Sequence, residues 1–151
     1  MQSTEAVWYF SMQAATLQEK ESMMAKVQVQ SVEKYVQQID ARQHRLAADE
    51  GEKLGGSDSG PNPYELLLSG LGACTSITLR MYAERKGWDL GEIQVGLHFY
   101  RDDAGKEYID RTLTCSGELS EEQRQRLLEI AGKTPVTNTV RQGTPIATDW
   151  K

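Results

Sequence analysis

The chain has few of the residues that bind metals or form disulfide frameworks, with only two cysteines and two histidines among 151 residues. Cys74 and Cys115 are 41 positions apart, and neither His44 nor His98 stands near a Cys-x-x-Cys pair. This distribution argues against a structural zinc site and against a disulfide scaffold. We therefore expect no metal, no cofactor and two reduced thiols.

Positive charge and long apolar runs are also scarce. The 17 Lys and Arg are outnumbered by 22 Asp and Glu, which gives a net charge of −5 and no basic block for nucleic acid or anionic lipid. The longest apolar run, Leu66 to Leu79, falls short of the roughly 20 residues that cross a membrane. Glu5 stands where a secretion signal carries positive charge. We expect a cytoplasmic protein with no nucleic-acid or membrane partner.

Residues 1–25 differ from the rest of the chain. Apolar residues recur at helical spacing from Val7 to Leu17, and Ser3 or Thr4 could cap such a helix. Two interpretations stay open for this extension: an amphipathic helix docked on a partner subunit, or a mobile leader. The folded domain is expected to span residues 26–151.

Within that domain, apolar and polar residues alternate as in half-buried antiparallel strands. Two helices are expected between the strands, one after a Gly/Pro/Ser loop and one capped by Ser120, with Leu127, Leu128, Ile130 and Ala131 buried. Strands grouped around two helices predict an α+β fold. The expected strands are KVQVQSV, YVQQI, HRLAAD, EIQVGLHFYR and KEYIDRTLTCSGEL, and the segments TPVTNTV and TPIATDW are expected to be extended.

The first helix begins at Asn62 as N-cap, followed by Pro63, and carries no charged side chain from Leu66 to Leu79. A helix that is apolar on every face has to be buried all round, which a monomer of this size can hardly arrange. A dimer with the two central helices packed together is the economical solution. The small residues Ser69, Gly70, Gly72 and Ala73 would allow a close approach.

Cys74 lies in the middle of this helix, on an apolar stripe. Its position beyond the first turns removes it from the influence of the helix N-terminus. Periodicity alone therefore assigns Cys74 to the core, and a reactive thiolate would need a positive partner from a distant segment.

The segments GPNPYELLLSGLGACT and LSEEQRQRLLEIAGKTPV, in this order, resemble the OsmC/Ohr family of osmotically induced and organic hydroperoxide resistance proteins. The continuation ITLRMYAERKGW resembles the OsmC-like branch. This resemblance implies an OsmC-like fold, in which antiparallel sheets surround two central helices of an intertwined homodimer with two sites at the subunit interface. It also implies a thiol peroxidase whose reactive cysteine is Cys74. No cofactor is implied.

The remaining catalytic positions depart from the family pattern. Thr134 stands where the resolving cysteine is expected, and Tyr64 stands where the assisting glutamate is expected. Glu65 is one position later and is expected to cap the helix. The assisting arginine comes from an early strand turn, where Arg42 and Arg45 are alternative candidates.

Cys115 is considered as a resolving residue but is expected to pack on the core-facing side of its strand, together with Ile109, Arg111 and Leu113. Two functions remain in view. One is a one-cysteine peroxidase that reduces a small organic hydroperoxide at Cys74 and is regenerated by an external thiol. The other is a non-enzymatic dimer that binds a small apolar ligand or acts as a scaffold.

Overall fold

The computed structural model describes residues 24–150, so the expected N-terminal helix lies outside the described residues. The chain divides into two compact units, Met1–Pro61 and Asn62–Lys151. The domain boundary expected after residue 25 stays a prediction. The strands are β1 (Gln28–Glu33), β2 (Val36–Ala41), β3 (His44–Ala48), β4 (Ile93–Arg101) and β5 (Glu107–Cys115), and the helices are α1 (Pro63–Lys86), α2 (Glu121–Ala131) and α3 (Pro135–Gln142).

The described part of the first unit is a three-stranded antiparallel sheet in the order β1-β2-β3. Its three strands confirm the meander predicted from the alternating pattern. The tight turns place Lys34 and Arg42 at positive φ, 51° and 57°. The apolar side chains of β1 are largely exposed within this unit, among them Val29 and Val32.

The loop after β3 is organised by a buried carboxylate. Asp49 is 2% exposed and accepts hydrogen bonds from both the backbone N–H and the hydroxyl of Ser57 and of Ser59. The Asp49 N–H in turn donates to the Pro61 carbonyl at 3.2 Å. These bonds, the Ser57 hydroxyl first among them, hold the pKa of Asp49 well below its ordinary value.

Both predicted helix starts in the second unit are confirmed. Asn62 and Glu65 form a reciprocal capping box at the start of α1, and Ser120 and Gln123 form one at the start of α2. Gly87 ends α1 at φ 67°, a left-handed conformation that glycine adopts without steric cost. The antiparallel hairpin β4-β5 lies between these helices in the chain, and the α+β class is confirmed.

Two details of the prediction are wrong. The segment TPVTNTV is not extended, because α3 begins at Pro135, with Thr134 as N-cap. Proline at the first helical position and buried polar partners outweigh the β-branched composition of this segment. The other segment expected to be extended, TPIATDW at residues 144–150, belongs to no sheet. Leu128, expected to be buried, is 52% exposed because it lies on the outer face of α2.

The core of the second unit lies between the C-terminal half of α1 and α2. Its buried members are Leu79, Tyr82, Ala83, Leu90, Leu127, Ile130 and Ala131. Other apolar side chains leave part of α1 open within the single chain: Leu67, Ile77 and Met81 are 44%, 59% and 42% exposed. By length and composition α1 could cross a membrane, a test that the core helix of a soluble protein also passes.

Candidate functional site

Cys74 lies at the border between the buried and the open side of α1. Its thiol is free and half-buried in the single chain, and Cys74 is not part of the core cluster of this chain. Its assignment to a core completed by a second copy of α1 stays a prediction. The next residue, Thr75, is fully buried, and its hydroxyl donates to the Leu71 carbonyl at 2.8 Å. The helix therefore holds Cys74 beside a buried hydroxyl while leaving the sulfur partly accessible.

Strand β5 brings Arg111 to this part of the helix. Arg111 pairs with Leu97 across the hairpin, and opposite residues of an antiparallel pair point to the same face. Leu97 packs so closely on α1 that a Cβ at Gly72 would lie 3.1 Å from its Cδ1. One turn further along α1, Arg111 Nη1 donates to Thr75 Oγ1 at 2.9 Å. The glycine thus permits the close packing that places Arg111 next to Cys74's neighbour.

The guanidinium of Arg111 is held by neutral oxygens. Besides Thr75, it donates from Nη1 to Thr137 Oγ1 at 3.0 Å and from Nη2 to the Ala131 carbonyl at 2.7 Å. Thr137 in turn shares a 2.7 Å hydrogen bond with the fully buried hydroxyl of Thr134. Arg111 is therefore fixed by contacts from α1, α2 and α3.

The electrostatic surroundings of Arg111 link it to Cys74. Partial burial lowers the pKa of Arg111, and the positive charge of Arg141 lowers it further. The thiolate form of Cys74 acts in the opposite direction and raises the pKa of Arg111. An arginine remains protonated despite such shifts. The site therefore contains a permanent positive charge that is hydrogen-bonded to Thr75, the neighbour of Cys74 in α1.

Sequence reasoning missed Arg111 as a functional residue. The available signal was a single charged residue on the otherwise apolar face of β5, between Ile109 and Leu113. The hairpin register, which decides that this residue meets α1 beside Cys74, could not be read from the pattern alone.

The two arginines proposed from the sequence lie in the first unit. Arg42 occupies the turn between β2 and β3, and Arg45 Nε donates to Asp40 Oδ1 at 3.0 Å; both side chains are exposed within the described chain. That either one assists Cys74 stays a prediction.

Tyr64, at the expected glutamate position, is engaged by aromatic and cationic neighbours. Its ring stacks on Phe99 at 4.6 Å, and its hydroxyl accepts a hydrogen bond from Arg101 Nη2 at 3.1 Å. Glu65 accepts from the Asn62 N–H at 2.8 Å, so the expectation that it caps α1 is confirmed.

Cys115 is exposed at the end of β5, so the expectation that it packs against the core helices is wrong. It is four residues from Arg111 along the strand, a Cα separation of about 13 Å. This distance is unfavourable for a disulfide with a cysteine held near Arg111. That Cys115 does not resolve Cys74 stays a prediction.

A shallow groove of about 550 Å³ lies between α1 and β4, and neither Cys74 nor Arg111 lines it. Its lining includes the apolar residues Leu68, Ala73, Val95 and Leu97, together with Gly72. Within residues 24–150, no three His, Cys, Asp or Glu side chains cluster as metal ligands would.

Comparisons with known proteins agree with this architecture. A family model described as OsmC-like protein matches residues 56–149, more than half of the chain. An OsmC-like protein from Mycoplasma pneumoniae superimposes with a TM-score of 0.68 at 18% identity, covering 78% of this chain and 87% of the other. A comparison with curated proteins gave no match.

Two organic hydroperoxide resistance proteins are also similar in structure. The OsmC protein from Legionella pneumophila has a TM-score of 0.59 at 18% identity, covering 78% of this chain and 89% of the other. OhrB of Bacillus subtilis has a TM-score of 0.56 at 22% identity, covering 80% of this chain and 92% of the other. The expected OsmC-like fold is confirmed.

Proposed function

Because the chain belongs to the OsmC-like protein family, we propose that it is a thiol peroxidase that reduces small organic hydroperoxides at Cys74. The observation that carries this proposal is the partly buried guanidinium of Arg111, which donates to the hydroxyl of Thr75, the residue next to Cys74, at 2.9 Å. A reactive cysteine is a thiolate, and a fixed cation beside it favours that form.

In the first step, the Cys74 thiolate attacks the outer oxygen of the hydroperoxide. An S–O bond forms, the O–O bond breaks, and the departing alkoxide takes up a proton to become the alcohol. The cysteine is oxidised to a sulfenic acid and the peroxide is reduced. Arg111 would stabilise the thiolate before the attack and the developing alkoxide during it.

In the second stage, an external thiol completes the cycle. Its sulfur attacks the sulfenic sulfur, releases water and leaves a mixed disulfide, and a second thiol then frees Cys74 and departs as the oxidised disulfide. The buried threonine at position 134 supports this one-cysteine scheme, because a hydroxyl cannot form a disulfide. The exposed position of Cys115 supports it as well.

The open side of α1 supports a homodimer as the functional form. Leu67, Ile77 and Met81 together expose an apolar surface that a second copy of the helix would cover. The OsmC-like structural neighbours point to a soluble protein. We place it in the cytoplasm, where both free thiols stay reduced.

One observation favours the alternative of a non-enzymatic ligand-binding dimer. Tyr64 occupies the expected glutamate position and is held by Phe99 and Arg101, so no carboxylate assists at that point of α1. In this alternative the groove beside Leu97 binds a small apolar ligand, and Cys74 undergoes no redox change.

Mass spectrometry after one equivalent of cumene hydroperoxide separates the two functions. We expect Cys74 to carry a sulfenic acid, or a mixed disulfide when thiol is added, and no internal disulfide. Cys74→Ser should abolish peroxide turnover, and Cys115→Ser, the matched control, should leave it nearly unchanged. Unmodified Cys74 with unconsumed peroxide would exclude peroxidase chemistry, and a Cys74–Cys115 disulfide would refute the one-cysteine scheme.

A further inference from the structure

A second arginine lies beside Arg111 at the C-terminal end of α2. Arg111 donates to the Ala131 carbonyl at 2.7 Å, and Arg141 Nη1 donates to the next carbonyl, that of Gly132, at 2.9 Å. Two guanidinium groups are thus anchored on consecutive carbonyls. Burial lowers the pKa of Arg111, and the positive charge of Arg141 lowers it further.

Neither guanidinium has a carboxylate partner among residues 24–150. The ion pairs in that part of the chain involve Arg45, Arg101 and Arg126 instead. The Arg111 guanidinium has five N–H donors, and three of them are used by Thr75, Thr137 and Ala131. The carbonyl ends of α2 offset only part of two full positive charges.

The charge of the Cys74 sulfur changes during the proposed cycle. The proposed attack on the peroxide requires a thiolate at Cys74, and this anion would compensate one of the two cations. After oxidation, the sulfenic acid is neutral, and both positive charges are left without a carboxylate partner among residues 24–150. An anionic ligand is therefore most strongly favoured at the oxidised stage, when the external thiol has to bind.

We propose that Arg111 and Arg141 bind the carboxylate of the reducing thiol, so that the reductant is a small thiol acid rather than a neutral thiol. The inference rests on the proposed function for the identity of the oxidised state. The carboxylate is held beside the oxidised sulfur while the thiol attacks it. The guanidinium fork suits this group because it can donate two parallel N–H bonds to a carboxylate.

A thiol exchange assay tests this without any peroxide. In the Cys115→Ser background, Cys74 is converted to its S-methylthio mixed disulfide, which is neutral as the sulfenic acid is. Its reduction by 3-mercaptopropionate is compared with reduction by 3-mercaptopropionamide, a neutral thiol of the same length. We expect the acid to react about tenfold faster, by local concentration of the anion, and the preference to shrink with added salt.

Substitutions at Arg141 test whether the preference for the thiol acid comes from the Arg111–Arg141 pair. Arg141 is exposed, so Arg141→Gln should fold normally and lose most of the preference, whereas Arg141→Lys should keep most of it. Arg85→Gln is the matched control. Arg85 is also an exposed arginine, but it lies 11 residues beyond Cys74, or about 16 Å along the axis of α1. Equal rates for the two thiols, or a preference that survives Arg141→Gln, would overturn the proposal.

The assay also separates this proposal from the peroxidase itself. If the thiol acid reacts faster in the exchange assay but the protein turns over no peroxide, the anion site is supported and the peroxidase activity is refuted. Peroxide turnover with no preference between the two thiols would support the peroxidase and refute the anion site.

Discussion

At the scale of single residues, the buried Asp49 and the partly buried Arg111 are held by hydrogen bonds with neutral groups and form no ion pair among the described residues. Arg111 donates to two hydroxyls and a carbonyl, and Asp49 accepts from backbone N–H groups and from the hydroxyls of Ser57 and Ser59. Such partners keep the charged form in place without neutralising it. For Arg111 this leaves a cation held next to Thr75, whereas for Asp49 it fixes a loop.

The Asp49 network gives a pH-dependent contribution to stability. The pKa of Asp49 is lowered in the folded chain, so its contribution is present above the unfolded value of about 3.9 and is lost as the pH falls through the folded value. Asp49→Asn should therefore unfold at lower urea concentration than the parent at pH 7. The gap between the two midpoints should narrow steadily below about pH 4.

Urea titrations of both proteins from pH 7 to pH 2 measure this difference. Glu50→Gln, in which the changed side chain is the neighbouring carboxylate, is the control and should leave the pH dependence of the midpoint intact. A constant gap between Asp49→Asn and the parent across the range would show that the carboxylate charge is irrelevant.

At the scale of elements, the sequence predicted the helices that begin with capping residues and the strands in which apolar and polar residues alternate. Asn62 and Ser120 mark the starts of α1 and α2 by side-chain geometry that acts within four residues, so a sequence pattern is enough. The strands likewise follow from a period of two. The third helix was missed because its residues favour strands by composition and are fixed by distant partners.

Those partners also explain why the site was only half predicted. Cys74 is found from a local motif, whereas Arg111 acquires its role from the β4-β5 register and from contacts with α2 and α3. The hydroxyl of Thr137 is central to this arrangement, since it binds both Arg111 and Thr134. No pattern in the sequence of α3 predicts these hydrogen bonds to residues that are distant in the chain.

Thr137→Val should therefore destabilise the protein and disturb the site together. The isosteric change leaves an Arg111 N–H and the buried Thr134 hydroxyl without a partner, at a cost of about 1–3 kcal/mol in the free energy of unfolding. Alkylation of Cys74 by iodoacetamide should also slow, because Arg111 is less firmly held. Thr137→Ser keeps the hydroxyl and should retain most of both properties. Unchanged stability of the valine variant in urea titrations would contradict the network.

At the scale of the whole molecule, the distribution of exposed apolar surface calls for a second chain. In α1, the apolar side chains of Leu67, Ile77 and Met81 are exposed. The single chain therefore buries only part of the stretch of α1 that carries no charged side chain. Since Cys74 lies at the edge of this open side, dimer formation would also complete the surroundings of the sulfur and limit its access to water.

Gly70 offers a test of this assembly. A Cβ at Gly70 would meet no atom within 4 Å in its own chain, so larger residues fit the single chain and improve helix propensity by roughly 0.8–1 kcal/mol. If two α1 helices pack face to face, Gly70→Leu should instead overpack the contact and weaken association by about 1–3 kcal/mol. Gly70→Ala, a smaller addition at the same position, should weaken it less. Sedimentation equilibrium at micromolar concentration measures both variants, and a parent protein that is a folded monomer under these conditions would refute the dimer.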